Sequence, residues 1–187
     1  LHCDGIDIDW EPLNEGVEVD YKWSPIIKGF KNEWPEGLLS AAVFSTGAYG
    51  KKQGQKFWGL NIHGLVNNGG ALDWLNLMAY DAIGALECFK IYYKGPVYVG
   101  FELGQQGWGD ALLTFDHIDR VCKHCKDGVF IWGYGSETKG TPDFNQTLEK
   151  CKTYFNQIET PKPQTPKPQL NSFECPFCHT RLSATIT

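Results

Sequence analysis

Five short apolar runs divide this sequence, at residues 5–11, 38–44, 74–80, 97–103 and 128–134. They are rich in branched and aromatic side chains, which suit strands. No tight two-residue turn joins any neighbouring pair, so hairpins are excluded and each strand must return by a crossover. Helical segments fill several of the gaps. Residues 21–30 form one. Residues 111–126 form a clearer one, with Leu112, Phe115, Ile118 and Val121/Cys122 at helical spacing. A third starts at Thr141-Pro142-Asp143-Phe144 and continues over 144–158, with Leu148, Cys151 and Phe155 on one face. The stretch 82–96 is brief and is expected to hold only a turn or an irregular helix. Strands alternating with helices imply an α/β fold with a parallel sheet. Continuously apolar runs such as 74–79 fit strands covered on both faces.

The chain has 187 residues, of which 42% are hydrophobic, enough for one domain with a core of its own. It carries 17 Lys and Arg against 22 Asp and Glu, a net charge of -5. That acidic balance speaks against nucleic acid or an anionic membrane as partner. No apolar run reaches the roughly 20 residues of a membrane span. The chain starts at Leu1, almost inside a motif, so an upstream segment is expected and no signal peptide is observable. Residues 160–169 read Thr-Pro-Lys-Pro-Gln twice, an extended semi-rigid linker. The chain divides accordingly into a domain over 1–159, the linker 160–169 and a short tail over 170–187.

The first run holds the chemistry. Asp7, Asp9 and Glu11 stand at i, i+2 and i+4, which on a strand places them on one face, roughly 6.6–6.8 Å apart in sequence order. Ile6, Ile8 and Trp10 face the other way, toward covering helices. Carboxylates crowded inside an apolar strand raise one another's pKa, so part of the set stays protonated near neutral pH. A protonated carboxyl of that kind is what glycosidic cleavage uses to protonate a leaving oxygen. The plainer alternative is an acidic strand face turned to water.

The full pattern is more specific. Asp4-Gly5-Ile6-Asp7-Ile8-Asp9-Trp10-Glu11 resembles, position by position, the fourth-strand signature of the chitinases of glycoside hydrolase family 18. Downstream, Asn76-Leu77-Met78-Ala79-Tyr80-Asp81 is similar to the sixth-strand motif of that family, and Gly128-Val129-Phe130-Ile131-Trp132 to its eighth strand. The resemblance covers residues 1–158. It implies a partial TIM (β/α)8 barrel that holds strands four to eight with their helices, strands one to three being absent. A whole barrel of this kind takes about 250 residues. Open edges on such a half barrel invite association, and the chain alone is expected to be poorly stable or inactive.

The resemblance further implies hydrolysis of β-1,4-linked N-acetylglucosamine polymers by a retaining, substrate-assisted mechanism. Glu11 would be the general acid and base, Asp9 would hold the acetamido group, and Asp7 would share a proton with Asp9. Tyr80 would donate to the acetamido oxygen. Met78, Asp81 and Asn76 would line the site, and Trp132 would stack under the sugar. The partner implied is a carbohydrate, chitin or an N-acetylglucosamine oligosaccharide, with no cofactor. A secreted or lysosome-like location is the family's usual one. Three alternatives stay open: a chitinase-like binding protein, an inactive fragment, and an endo-β-N-acetylglucosaminidase acting on N-glycans. The presence of Glu11 argues against the binding protein. For Tyr80 and Met78 the plain reading is barrel core, while Trp132 taken alone favours neither reading.

Seven cysteines are present, an odd number that excludes complete intrachain pairing. Cys175-Pro-Phe-Cys178-His179 is similar to the first knuckle of a zinc ribbon. It can equally be an inert tail with free thiols, while haem attachment lacks a surrounding haem domain. Cys122 and Cys125 form a second C-x-x-C pair, on a predicted helix.

Overall fold

The computed structural model describes residues 3–11, 20–48, 60, 64, 69–80, 83–106, 111–155, 172–174 and 181–183. Among them are five strands, β1 (Gly5–Ile8), β2 (Leu38–Phe44), β3 (Trp74–Met78), β4 (Val97–Glu102) and β5 (Val129–Trp132). They form one sheet in the order β1-β2-β3-β4-β5, every pair parallel. The described α-helices are α1 (Asp20–Glu33), α2 (Gly84–Tyr92) and α3 (Phe115–His124), which lie between strands, and α4 (Phe144–Phe155), which follows β5. Sequential order in a parallel sheet with helical crossovers is the build of a (β/α)8 barrel, of which five strands curl here into half.

Register separates two faces. Ile8, Ala41, Leu75 and Val97 lie abreast, and Val99 pairs with Val129. This face is the core. Leu39, Ala41, Val43, Leu75, Leu77, Val97, Val99 and Phe101 are fully buried, in one cluster with Trp23 and Ile27 of α1, Phe89 of α2 and Ile118 and Val121 of α3. Trp10 continues it, its ring 5.5 Å from that of Trp23. Burying a side chain of this size is worth about 1.5–3 kcal/mol.

Two helices differ from expectation. Residues 84–92 are a regular helix, with Ala85, Leu86, Cys88 and Phe89 buried at i, i+1, i+3 and i+4. The crossover before β4 therefore holds a regular helix. The helix expected over 111–126 starts only at Phe115. Thr114 stops it in extended backbone, and its side chain accepts from the His117 N–H at 3.1 Å. Leu112 lies outside the helix and pairs with Gln105, and both Leu112 and Phe115 are exposed. The buried face is His117, Ile118, Val121 and Cys122. At α4, Asp143 and Gln146 close a capping box: each side chain accepts from the other's backbone N–H, at 2.8 and 3.0 Å.

The N-terminal ends of the strands repeat one device. Asp73, just before β3, accepts from the Leu39 N–H of β2 at 2.7 Å and from Lys31 of α1 at 3.0 Å. Asp127, just before β5, accepts from the Val97 N–H of β4 at 2.8 Å and from Lys90 of α2 at 2.5 Å. Lys31 and Lys90 also donate to the carbonyls of Gly37 and Gly95. One carboxylate thus ties a strand, its neighbour and a helix together. In barrels of this kind that end serves stability.

In the tail, β6 (Ser172–Glu174) and β7 (Arg181–Ser183) pair antiparallel, with Phe173 opposite Leu182. Cys175, Cys178 and His179, and with them the zinc-knuckle expectation, lie outside the described residues.

Candidate active site

Because all five strands run the same way, their C-terminal ends gather at one rim. On the inner face Asp7, Ser40 and Trp74 lie abreast, then Ala42, Asn76 and Tyr98, then Gly100 and Phe130, then Glu102 and Trp132. Two glycines serve close approaches. A side chain at Gly5 would meet the Leu38 carbonyl oxygen at 2.0 Å, so only glycine lets β1 lie against β2 there. A side chain at Gly100 would meet the Phe130 ring at 2.6 Å, so its absence leaves room for that ring.

The carboxylates take separate partners. Asp7 Oδ1 accepts from Ser40 Oγ at 2.5 Å and from Asn76 Nδ2 at 3.0 Å. Asn76 therefore holds Asp7 in place. Asp9 and Glu11 lie just past the end of β1, and their side chains are hydrogen-bonded to each other. Glu11 is exposed to the open inner side, yet partial withdrawal of its carboxyl from water, the Asp9 hydrogen bond and the Asp9 charge together push its pKa from 4.5 to about 7. Burial is the largest cause.

Tyr80 leaves β3 with φ of 36°, a left-handed backbone rare for a side chain of its size. Strain of this type costs about 1–3 kcal/mol and collects at functional turns. Its phenol is held protonated well beyond the ordinary range, first by burial, then by the negative charges of Glu102, Glu11 and Asp9. A donor is thereby fixed among three carboxylates. Met78 is buried behind it, at 8% exposure, and Trp132 stands at the rim 51% exposed. Asp81 lies outside the described residues.

Glu102 is the residue that the motifs pass over. It ends β4, is half-buried, and pairs in register with Trp132. Its neighbour Gln106 accepts from the Glu102 N–H and donates to the Glu102 carbonyl, which fixes the strand end. The signal was a carboxylate closing an apolar run at the parity of Tyr98 and Gly100. Ser40, a lone hydroxyl in the run 38–44, is a second such residue.

No family model and no curated protein matches the sequence. Solved structures do match. A fungal endo-β-N-acetylglucosaminidase from glycosyl hydrolase family 18 superposes with a TM-score of 0.57 at 14% identity, over 83% of this chain and 58% of that one. The catalytic domain of a hyperthermophilic chitinase from Pyrococcus furiosus gives 0.54 at 14% identity, over 83% and 63%. Catalytic-site mutants of active domain 2 of chitinase from the same organism give 0.54 at 13% identity, with the same coverage. The chain spans about three fifths of the length of these proteins. Five successive parallel strands, with their helices between them, thus give this chain the fold of the family 18 glycosyl hydrolase barrels over the part it shares with them.

Proposed function

We propose that this chain is the Glu11-bearing part of a glycoside hydrolase that cleaves β-1,4-linked N-acetylglucosamine polymers with retention, the substrate's own acetamido group serving as nucleophile. The observation that carries the reading is the placement of the Asp4–Glu11 acidic motif at the C-terminal end of the first strand of a barrel sheet, where burial and the neighbouring Asp9 push the Glu11 pKa up to about 7. A carboxyl with that pKa can give a proton to the leaving oxygen and take one back from water at the same pH. The acetamido oxygen attacks the anomeric carbon as the glycosidic bond breaks, and the cationic ring so formed is stabilised by the Asp9 carboxylate. Tyr80 donates to the acetamido oxygen, and Trp132 offers its exposed face to the sugar ring. Met78 lines the pocket, while Asp7, held by Ser40 and Asn76, backs Asp9. No step asks for a cofactor.

The test is release of reducing ends from N-acetylglucosamine oligomers, by the chain as it stands and by a longer chain that completes the barrel. Glu11→Gln should lower turnover about 10²–10⁴-fold while oligomer binding is kept. Unchanged turnover in that variant would sink the proposal. Turnover by the longer chain alone would give this chain the role of an incomplete barrel. A second reading is favoured by one neighbour, the fungal endo-β-N-acetylglucosaminidase. Cleavage within the core of an N-glycan uses the same acetamido chemistry, and assaying both substrates side by side separates the two.

A further inference from the structure

The sequence offers Cys122 and Cys125 as a C-x-x-C pair, but the structure gives Cys122 a different partner. Its thiol, on α3, donates to Cys151 Sγ on α4 across 3.8 Å, and both residues are only 4% exposed. The contact is set by a polar clamp one turn away. Asp119 of α3 accepts from Lys150 at 2.7 Å and from the Tyr154 hydroxyl, and those two residues flank Cys151 on α4. The clamp fixes the two helices against each other beside the sulfurs. Cys125 lies just past the end of α3, 1% exposed, and burial pushes its thiol up to about 12. Of the other described cysteines, Cys3 is exposed and Cys88 is buried in α2.

We infer that Cys122 and Cys151 are a dithiol site that forms a disulfide stapling α3 to α4. A disulfide needs its sulfurs about 2.05 Å apart, so a closure of under 2 Å from 3.8 Å is required, within reach of side-chain rotation and a small helix shift. The reactant is a disulfide-bearing oxidant, of low molecular weight or on a protein. One thiolate attacks a sulfur of the oxidant and expels the first of its thiols. The second cysteine then attacks the mixed disulfide at the first cysteine's sulfur and releases the other. Two protein thiols are oxidised, the oxidant's disulfide is reduced to two thiols, and two protons pass with the electrons. Donation from Cys122 lowers the Cys151 pKa and favours Cys151 as the attacking thiolate. Because both sulfurs are buried, the mixed disulfide forms before α4 docks or while it is open. The closed link spans 29 residues of chain, long enough to restrict the unfolded state appreciably.

The test needs no variant to begin. The full chain is refolded with oxidised glutathione, alkylated, and mapped as peptides without reductant. The expected result is a joined Cys122–Cys151 peptide pair and a Tm about 5–10 °C above that of the reduced protein. Cys122→Ser and Cys151→Ser should each remove the link and the rise, and Cys125→Ser should keep both. Alkylated Cys122 and Cys151 in the oxidised protein overturn the inference, as does a link from Cys122 to Cys125. The mapping decides even if a serine variant fails to fold.

Discussion

The two ends of the same five strands treat carboxylates in opposite ways. At the N-terminal end Asp73 and Asp127 each meet a lysine and a backbone N–H, so their charge is compensated where it stands. At the C-terminal end Asp9 and Glu11 bond to each other, and together with Glu102 they turn their charge on Tyr80. Compensated carboxylates hold strands in place. Carboxylates set against one another keep a proton near neutral pH, and in the proposed function that proton is the reagent. On that reading one end of the sheet uses its acidic residues for stability and the other for reactivity.

The largest effect should come from breaking the C-terminal pair. Asp9→Asn removes a charge and the partner of Glu11, and turnover of N-acetylglucosamine oligomers should fall about a hundredfold or more. The sign of the pH shift follows. Glu11 must be protonated to act as acid, so activity declines as pH rises through about 7. Without the Asp9 charge the Glu11 pKa drops, so the alkaline limb of the pH–rate profile should move to lower pH. It should stop short of the ordinary 4.5, because burial, the largest cause, persists. A limb that stays in place would show that Asp9 does not tune Glu11.

The matching change at the other end is Asp127→Ala. It leaves the Val97 N–H and Lys90 without their shared acceptor, and urea unfolding should show a loss of about 1–3 kcal/mol. Turnover per folded molecule should not change. If turnover fell as it does for Asp9→Asn, the division between the two ends would be wrong.

A smaller effect reads the cost of the C-terminal pair directly. The Glu11 pKa is raised on folding, so its contribution to stability is full below pH 4.5 and is lost as pH rises to about 7. Glu11→Gln should therefore have a higher Tm than the unaltered chain at pH 8 and lose that advantage at pH 4. An advantage at pH 4 equal to that at pH 8 would mean that the gain has nothing to do with the proton.

Much of this division was legible in the sequence, and the exceptions have physical causes. The five strands showed because a parallel strand covered by helices is apolar along its length, as at 38–44 and 74–78. The acidic pattern showed because carboxylates at alternate positions in such a strand are costly unless used. Helix α2 was expected as no more than a turn or an irregular helix although Ala85, Leu86, Cys88 and Phe89 have helical spacing, because nine residues in a short link look too few. The start of α3 was placed early because Leu112 continues the helical period by one turn. Thr114 marks the true start, since its hydroxyl caps the helix only when the chain before it is extended. The Cys122–Cys151 approach has no sequence signal at all, because it depends on how α3 and α4 pack. The lysine clamps are likewise invisible, since Lys31 and Asp73 are 42 residues apart.

Glu102 sharpens the comparison most finely, because it stands at the same C-terminal end of the sheet and acts on the same phenol. Of the three carboxylates acting on Tyr80, its charge is the strongest. Removing it with Glu102→Gln should bring the phenol down, but burial keeps Tyr80 a protonated donor at neutral pH, so the chemical step should be nearly untouched. In the proposed function the role left to Glu102 is positional. It lies in register with Trp132, whose exposed ring is the proposed platform for the sugar. A carboxylate beside a stacking ring accepts from sugar hydroxyls, and weakening that contact removes about 1–1.5 kcal/mol of binding. The expected outcome is a KM raised several-fold with kcat within a factor of two, read on oligomers at pH 6. A fall in kcat comparable to that of Asp9→Asn would instead put Glu102 with Asp9 and Glu11 in the proton chemistry, and the reactive set would then extend across the sheet from β1 to β4.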